Sequence, residues 1–285
     1  MNELTLVQIT DTHLRAAGEN VLDTVDTHAA LLQVLDKLCT GGRRIDALIL
    51  SGDLTDDGSP EGYRRLRAAV EPAAAELDAQ VLYVMGNHDE RSAFGVELLG
   101  HDPGTVDIGQ PHDQVMDVGG LRVIGLDSTT PRRHDGRLEH EQLAWLRTQL
   151  REPAPRGTLL VLHHPPLPSA IPAAEFLKLQ DAELLAEVIS GTDVRMILCG
   201  HNHMTAASVL AGVPVWVGPA LAYRIDAMAP VGHQLGVVGS GFTRLDVLDS
   251  AIIATAVETT PTTALYDKAD TEVQERLSAL AAEAG

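Results

Sequence analysis

Five short clusters of metal-binding side chains, each directly after an apolar run, constrain this chain more than any other feature. They are Asp11-Thr-His13, Gly52-Asp53, Gly86-Asn87-His88-Asp89, His163-His164 and Gly200-His201-Asn202-His203. The preceding runs read as strands, so five strand ends carry carboxylate, amide and imidazole groups. In an α/β sheet, ligands gather outside the carboxyl ends of strands, where loops bring side chains together. A lone Asp after a strand is usually a helix cap or turn residue, and a lone His a hydrogen-bonded bystander. That bland reading is kept for His28, His101, His112, His140 and His233. It fails for the clusters, which hold half of the twelve histidines.

Asp11 and His13 are one residue apart, so on an extended segment both point to one side and can bind one ion. Asp53 has two oxygens and can bridge two cations. Asn87 offers a neutral amide oxygen, and His163, His201 and His203 add imidazoles, the His-x-His spacing again putting two rings on one side. An oxygen and nitrogen set without thiolate suits Fe, Mn, Zn, Co or Ni more than Ca or Mg. Two such ions with a shared water are equipped to hydrolyse phosphate esters.

The elements around the clusters alternate. Leu4–Thr10 reads as a strand, Ala29–Cys39 as a helix stopped by Gly41-Gly42, and Ala47–Leu50 as a strand buried on both faces. Pro60–Leu77 is a helix and Val81–Met85 the next buried strand, a rhythm that implies parallel strands with helical crossovers. Gln114–Val118 and Leu121–Leu126 form a hairpin across Gly119-Gly120. Glu139–Leu150 is a helix, and strands Thr158–Leu162 and Val194–Cys199 flank a helix around Ala182–Ile189. Strands Ala207–Leu210, Val213–Val217, Phe242–Leu248 and Ala251–Val257 follow. The economical fold is α/β: a four-layer α/β/β/α sandwich of two mixed sheets flanked by helices. Residues 1–257 are expected to form the catalytic domain, and 258–285 a linker and helix. The linker is Thr259–Thr263 and the helix Lys268–Ala284, whose apolar side (Val273, Leu277, Leu280) must cover something. Its own domain or the second subunit of a homodimer are the two candidates.

The net charge of −19 argues against nucleic acid as a partner, because a polyanion wants a basic footprint. It leaves room for a small phosphate substrate, since bound metal reverses the potential inside one pocket. Nothing approaches ~20 continuous apolar residues, so no membrane span is expected. The N-terminus lacks the basic and apolar regions of a signal peptide. Cys39 and Cys199 read as small buried hydrophobes rather than a disulfide, which suits a reducing compartment, and a cytoplasmic protein is expected.

Asp-x-His, Gly-Asp, Gly-Asn-His-Asp, His-His and Gly-His-x-His, in this order over roughly residues 4–257, resemble the calcineurin-like metallophosphoesterases. Within them, Val84-Met-Gly-Asn-His-Asp-Glu-Arg91, His163-His-Pro-Pro-Leu-Pro168 and Gly191-Thr-Asp-Val-Arg-Met-Ile-Leu-Cys-Gly-His-Asn-His203 are similar to bacterial class III cyclic nucleotide phosphodiesterases. Bacterial glycerophosphodiesterases have similar motifs. The resemblance implies the same sandwich and two divalent or trivalent transition-metal ions, one bound by Asp11, His13, Asp53 and His203. The other would be bound by Asp53, Asn87, His163 and His201. His88 matches the non-ligand histidine that contacts the phosphate and protonates the leaving group. The substrate so implied is a small phosphodiester, 3′,5′-cyclic AMP, cleaved to 5′-AMP by a hydroxide between the metals, with Asn87, His88 and His203 in contact with it. His134, on a loop, is a further candidate substrate contact, and Asp89 and His164 are candidates to orient the ligands. The rival readings are a glycerophosphodiesterase or phosphomonoesterase, a DNA nuclease, and a scaffold that has lost its metals. The intact ligand set speaks against the last. Aromatic residues are scarce, and for base stacking Tyr223 and Trp216 stand no higher than core residues.

Overall fold

The computed structural model describes residues 3–169, 172–259, 265 and 268–283. In chain order the first elements are β1 (Leu4–Ile9), α1 (Thr27–Thr40), β2 (Ala47–Ser51), α2 (Pro60–Leu77), β3 (Gln80–Val84) and α3 (Arg91–Glu97). The hairpin β4 (Gln114–Val118) and β5 (Leu121–Leu126) follows, then α4 (His140–Gln149), β6 (Thr158–Leu162), α5 (Pro172–Glu175), α6 (Ala182–Ile189) and β7 (Val194–Cys199). The rest is β8 (Ala206–Leu210), β9 (Val213–Val217), β10 (Arg224–Ile225), β11 (Gly236–Val237), β12 (Gly241–Val247), β13 (Ile252–Glu258) and α7 (Asp270–Glu283).

Two sheets stack face to face. One has strand order β13-β12-β1-β2-β3 and the other β4-β5-β6-β7-β9-β8. In the first, β1, β2 and β3 run parallel, and β12 runs antiparallel to both its neighbours, β1 and β13. Both sheets are mixed, as the change from β-α-β rhythm to hairpins predicts. Leu6, Ile49 and Val84 of the first sheet meet Val123, Val161 and Leu198 of the second in the middle layer. The opposite side chains, Val7, Leu48 and Leu50, pack under α1 and α2, and Ile124, Leu160 and Ile197 under α4 and α6. Because β2 and β6 are covered on both faces, every residue in them is buried.

Local chemistry sets the helix ends. Asp26 accepts the Ala29 amide at 2.9 Å to start α1, and Ser59 accepts the Gly62 amide at 3.3 Å ahead of Pro60 at the start of α2. Glu139 and Gln142 form a capping box at α4. Cys39 and Cys199 are both free; Cys199 is buried, whereas Cys39 is only partly so.

Helix α7 exposes Val273 (39%) and Leu277 (60%). Of the expected linker, residues 260–263 lie outside the described residues, as do Ala284 and the side chain of Leu280. Among the described residues, no helix is long and apolar enough to cross a membrane.

Candidate metal centre

The parallel strands β1, β2, β3, β6 and β7 deliver all five clusters to one end of the sandwich. The loops there are folded tightly. Asp11, His13, Asp53, His201 and His203 all have positive φ, between 44° and 72°. Non-glycine residues rarely adopt this region, and it concentrates where function over-determines the backbone. Two glycines allow the loops to touch. A Cβ on Gly86 would overlap the backbone nitrogen and Oδ1 of Asp53, and one on Gly200 would overlap Thr10 and Asp11.

The result is one buried constellation. Asp11, His13, Asp53, His163 and His203 are buried, and His201 is partly so. Asp53 Oδ2 lies 3.6 Å from His13 Nε2 and 3.2 Å from His163 Nε2, in the middle of the group. His203 Nε2 lies 3.1 Å from His13 Nε2 and 3.5 Å from Asp11 Oδ1. Asp11, His13 and His203 form one triad able to hold a metal, and Asp53, His163 and His201 another, with ligand atoms within 4.8 Å of one another in each. Asn87 borders the same cavity.

The far nitrogens settle which way each ring presents its lone pair. His163 Nδ1 is 3.0 Å from the Ser51 carbonyl, and His203 Nδ1 is 2.9 Å from the Tyr223 carbonyl. His13 Nδ1 is 3.1 Å from Asp56 Oδ1. Carbonyl oxygens can only accept, so Nδ1 of His163 and of His203 carries the proton and the Nε2 lone pair faces inward, the form a metal ligand needs. In that form the two facing lone pairs of His13 and His203 cannot hydrogen-bond to each other. Two nitrogens on one tetrahedral ion at ~2.0–2.1 Å would stand about 3.3 Å apart, close to the separation here. His163 Nε2 and Asn87 Oδ1 are buried atoms without a hydrogen-bond partner, as expected of groups shaped for a cation. The residues present therefore fit a pair of metal ions.

Electrostatics point the same way. Burial alone would lower the pKa of His163, but the Asp53 carboxylate, and after it Asp11, push it up to about 9. Burial acts to raise Asp53, yet His163, His13 and His88 hold it well below the usual carboxylate range. Burial and then the charge of His163 depress His201 to about 3. A cation seated beside Asp53 would take the place of the proton on His163.

The remaining sequence-predicted residues surround this centre. The His88 backbone N–H donates to Asp53 Oδ1 at 2.9 Å, and its Nδ1 donates to the Asp56 carbonyl at 2.8 Å, which leaves Nε2 unengaged among the described residues. His134 Nδ1 is 3.3 Å from Asn87 Nδ2, on the cavity wall. Asp89 accepts the amides of Gly86, Leu54 and Thr55 and the Tyr63 hydroxyl, tying the Asp53 loop to the Asn87 loop. His164 Nδ1 meets Ser128 Oγ at 2.8 Å, and its ring lies 4.7 Å from that of His201. His28, His101, His112, His140 and His233 lie outside both triads. Sequence reasoning missed Asp56, although its place three residues after Asp53 was a signal. The His13, Asp56 and His88 group is also compact enough for a cation, but hydrogen bonding accounts for it.

Comparison with known proteins agrees with this geometry. The family model for calcineurin-like phosphoesterases matches residues 4–205. A probable cyclic nucleotide phosphodiesterase of Rhodococcus erythropolis is 47% identical over 253 residues, 88% of this chain and 82% of the relative. A cAMP/cGMP dual specificity phosphodiesterase of Mycobacterium tuberculosis is 41% identical over 235 residues, 82% of this chain and 73% of the relative. Among solved structures, a dimetal phosphatase from Danio rerio superposes with a TM-score of 0.59 at 15% identity, covering 88% of this chain and 98% of that one, a likeness of fold.

Proposed function

The chain belongs to the calcineurin-like phosphoesterase family, and from that membership we propose that it hydrolyses 3′,5′-cyclic nucleotides, cyclic AMP foremost, to the 5′-nucleotide. The observation that carries this reading is the convergence of six further candidate ligand side chains on Asp53, with a ring nitrogen and an amide oxygen left unpaired in the interior. Asp11, His13, Asp53 and His203 would hold one ion; Asp53, Asn87, His163 and His201 the other. When bound, the ions supply Lewis acidity toward water and the phosphate oxygens.

The chain's own groups do the rest. Asn87 Nδ2, 3.3 Å from His134 Nδ1 on the cavity wall, donates to a nonbridging phosphate oxygen. His88, its Nδ1–H fixed on the Asp56 carbonyl, turns Nε2 into the cavity and, when protonated, passes that proton to the leaving 3′-oxygen. His203 borders the bound diester and His134 closes the rim. Asp89 and His164 hold the ligand loops in register.

The donor chemistry supports Fe, Mn, Zn, Co or Ni as the resident ions. The exposed Val273 and Leu277 of α7 support a homodimer contact, which Leu277→Glu should dissolve in a solution mass measurement. We read the enzyme as cytoplasmic, supported by its two free cysteines. A substrate panel tests the central reading, with these metals supplied singly. Cyclic AMP should give the highest kcat/KM, ahead of glycerophosphodiesters and an aryl phosphomonoester; a preference for either of the others overturns it.

A further inference from the structure

The cleft over the candidate ions has two lobes that share His13, His88 and Tyr223 as walls. One lobe, about 320 Å³, is lined by Asp53, Asn87 and His201, so the two ions and the phosphate would sit in it. The other, about 640 Å³, has Arg15, Asn20 and Asp23 in its walls, and its size suits a small organic ligand, for which ~300–1,000 Å³ is usual. In a cyclic nucleotide the leaving oxygen stays on the nucleoside. If His88 protonates that oxygen, the nucleoside sits beside His88, at the junction of the two lobes.

We propose that the larger lobe is the nucleoside subsite, with Tyr223 as its stacking surface and Asn20 and Asp23 as the groups that read its hydroxyl and base edges. The inference rests on the phosphodiesterase reading of the same site. Tyr223 is tied to the metal centre: its carbonyl accepts from His203 Nδ1 at 2.9 Å, and its ring lies 4.3 Å from the His203 ring. The half-buried ring faces both lobes. Trp216, the other aromatic candidate, is committed elsewhere, its Nε1 donating to Thr243 Oγ1 at 2.9 Å. Arg15 is held by Asp56 at 2.6 Å and Glu19 at 3.0 Å. That leaves Asn20 and Asp23, both exposed on the wall, to meet the ligand. An amide and a carboxylate accept hydrogen bonds from a ribose hydroxyl and a base amino group. A glycerol leaving group offers Tyr223 no flat face, so this lobe would distinguish nucleotides from other diesters.

The test compares inhibition by 5′-AMP and by inorganic phosphate, measured on the manganese-loaded enzyme with bis(p-nitrophenyl) phosphate as substrate. The wild type should bind 5′-AMP at least tenfold more tightly than phosphate, since base stacking is worth about 5- to 150-fold. Asn20→Trp, which narrows the lobe from a position that is not a candidate ligand, and Tyr223→Leu should each bring the two constants within threefold, with metal content measured alongside. An advantage that survives both variants overturns the subsite. So does an advantage lost instead with Leu177→Trp, which narrows the smaller lobe. An enzyme that keeps the preference for 5′-AMP but fails to hydrolyse cyclic AMP would remove the substrate reading and leave the subsite standing.

Discussion

Asp56 Oδ1 lies 3.1 Å from His13 Nδ1, while the other oxygen of the same carboxylate accepts from Arg15 at 2.6 Å. A carboxylate behind an imidazole fixes the tautomer and raises the basicity of the nitrogen that faces the metal, and losing such a partner typically costs ~10–100-fold in metal affinity. Asp56→Ala should weaken one of the two sites by that factor, read from manganese titration by calorimetry. Asp56→Asn, which still offers an oxygen to His13, should fall between. Equal affinity in all three proteins would mean that His13 needs no such support.

His88 is expected to act on the substrate and not on the ions. Its backbone N–H, which survives any side-chain change, makes the bond to Asp53. His88→Ala should therefore retain both metals and lose ~10²–10³ in kcat, the usual effect of removing one group that stabilises transition-state charge. Metal analysis and steady-state kinetics on the same preparation check both halves. Full turnover with full occupancy would remove His88 from the chemistry.

Gly86 lets the Asn87 loop lie against Asp53. An added methyl would collide with the Asp53 backbone and carboxylate, neither of which can move without displacing the proposed shared ligand. Gly86→Ala should fold, by circular dichroism, yet bind at most one metal per chain. Two equivalents bound with wild-type affinity would contradict this.

Away from the centre, burial pushes Asp113 from 3.8 up to about 6, only partly offset by the Asp127 amide and Gln142. An acid whose folded pKa is raised adds stability that is fully present below about pH 4 and lost as pH rises through 6. Asp113→Asn removes that titration and keeps an oxygen for the Asp127 amide. Relative to wild type, the variant should gain up to ~3 kcal/mol between pH 4 and pH 7, at about 1.4 kcal/mol per unit. Urea unfolding at the two pH values measures it, and a pH-independent difference would refute the assignment.

Much of this was legible because the signals were local. Ala47–Leu50 and Thr158–Leu162 are unbroken apolar runs, since both faces of those strands are covered. Pro60 behind Ser59 marks a helix start that the structure keeps to the residue. The ligand clusters sit at strand ends, so topology alone brings them together. What sequence did not reveal depends on tertiary placement. The two-residue strands β10 and β11 and the four-residue α5 are too short for any periodicity to register. Helix α3 is capped by Glu90, whose side chain accepts from Ser92 and Ala93, but it spans only seven residues. Tyr223 looked like a core residue because its position beside His203 is set by a loop after β9, and that loop has no sequence pattern of its own.

Two ions sharing one carboxylate are the centre of the proposed chemistry. Crystals grown with manganese and measured at its absorption edge test this directly. The expected result is two anomalous peaks a few ångströms apart, with Asp53 between them, Asp11, His13 and His203 on one, and Asn87, His163 and His201 on the other. A single peak, or two peaks with Asp53 bound to neither, would contradict it.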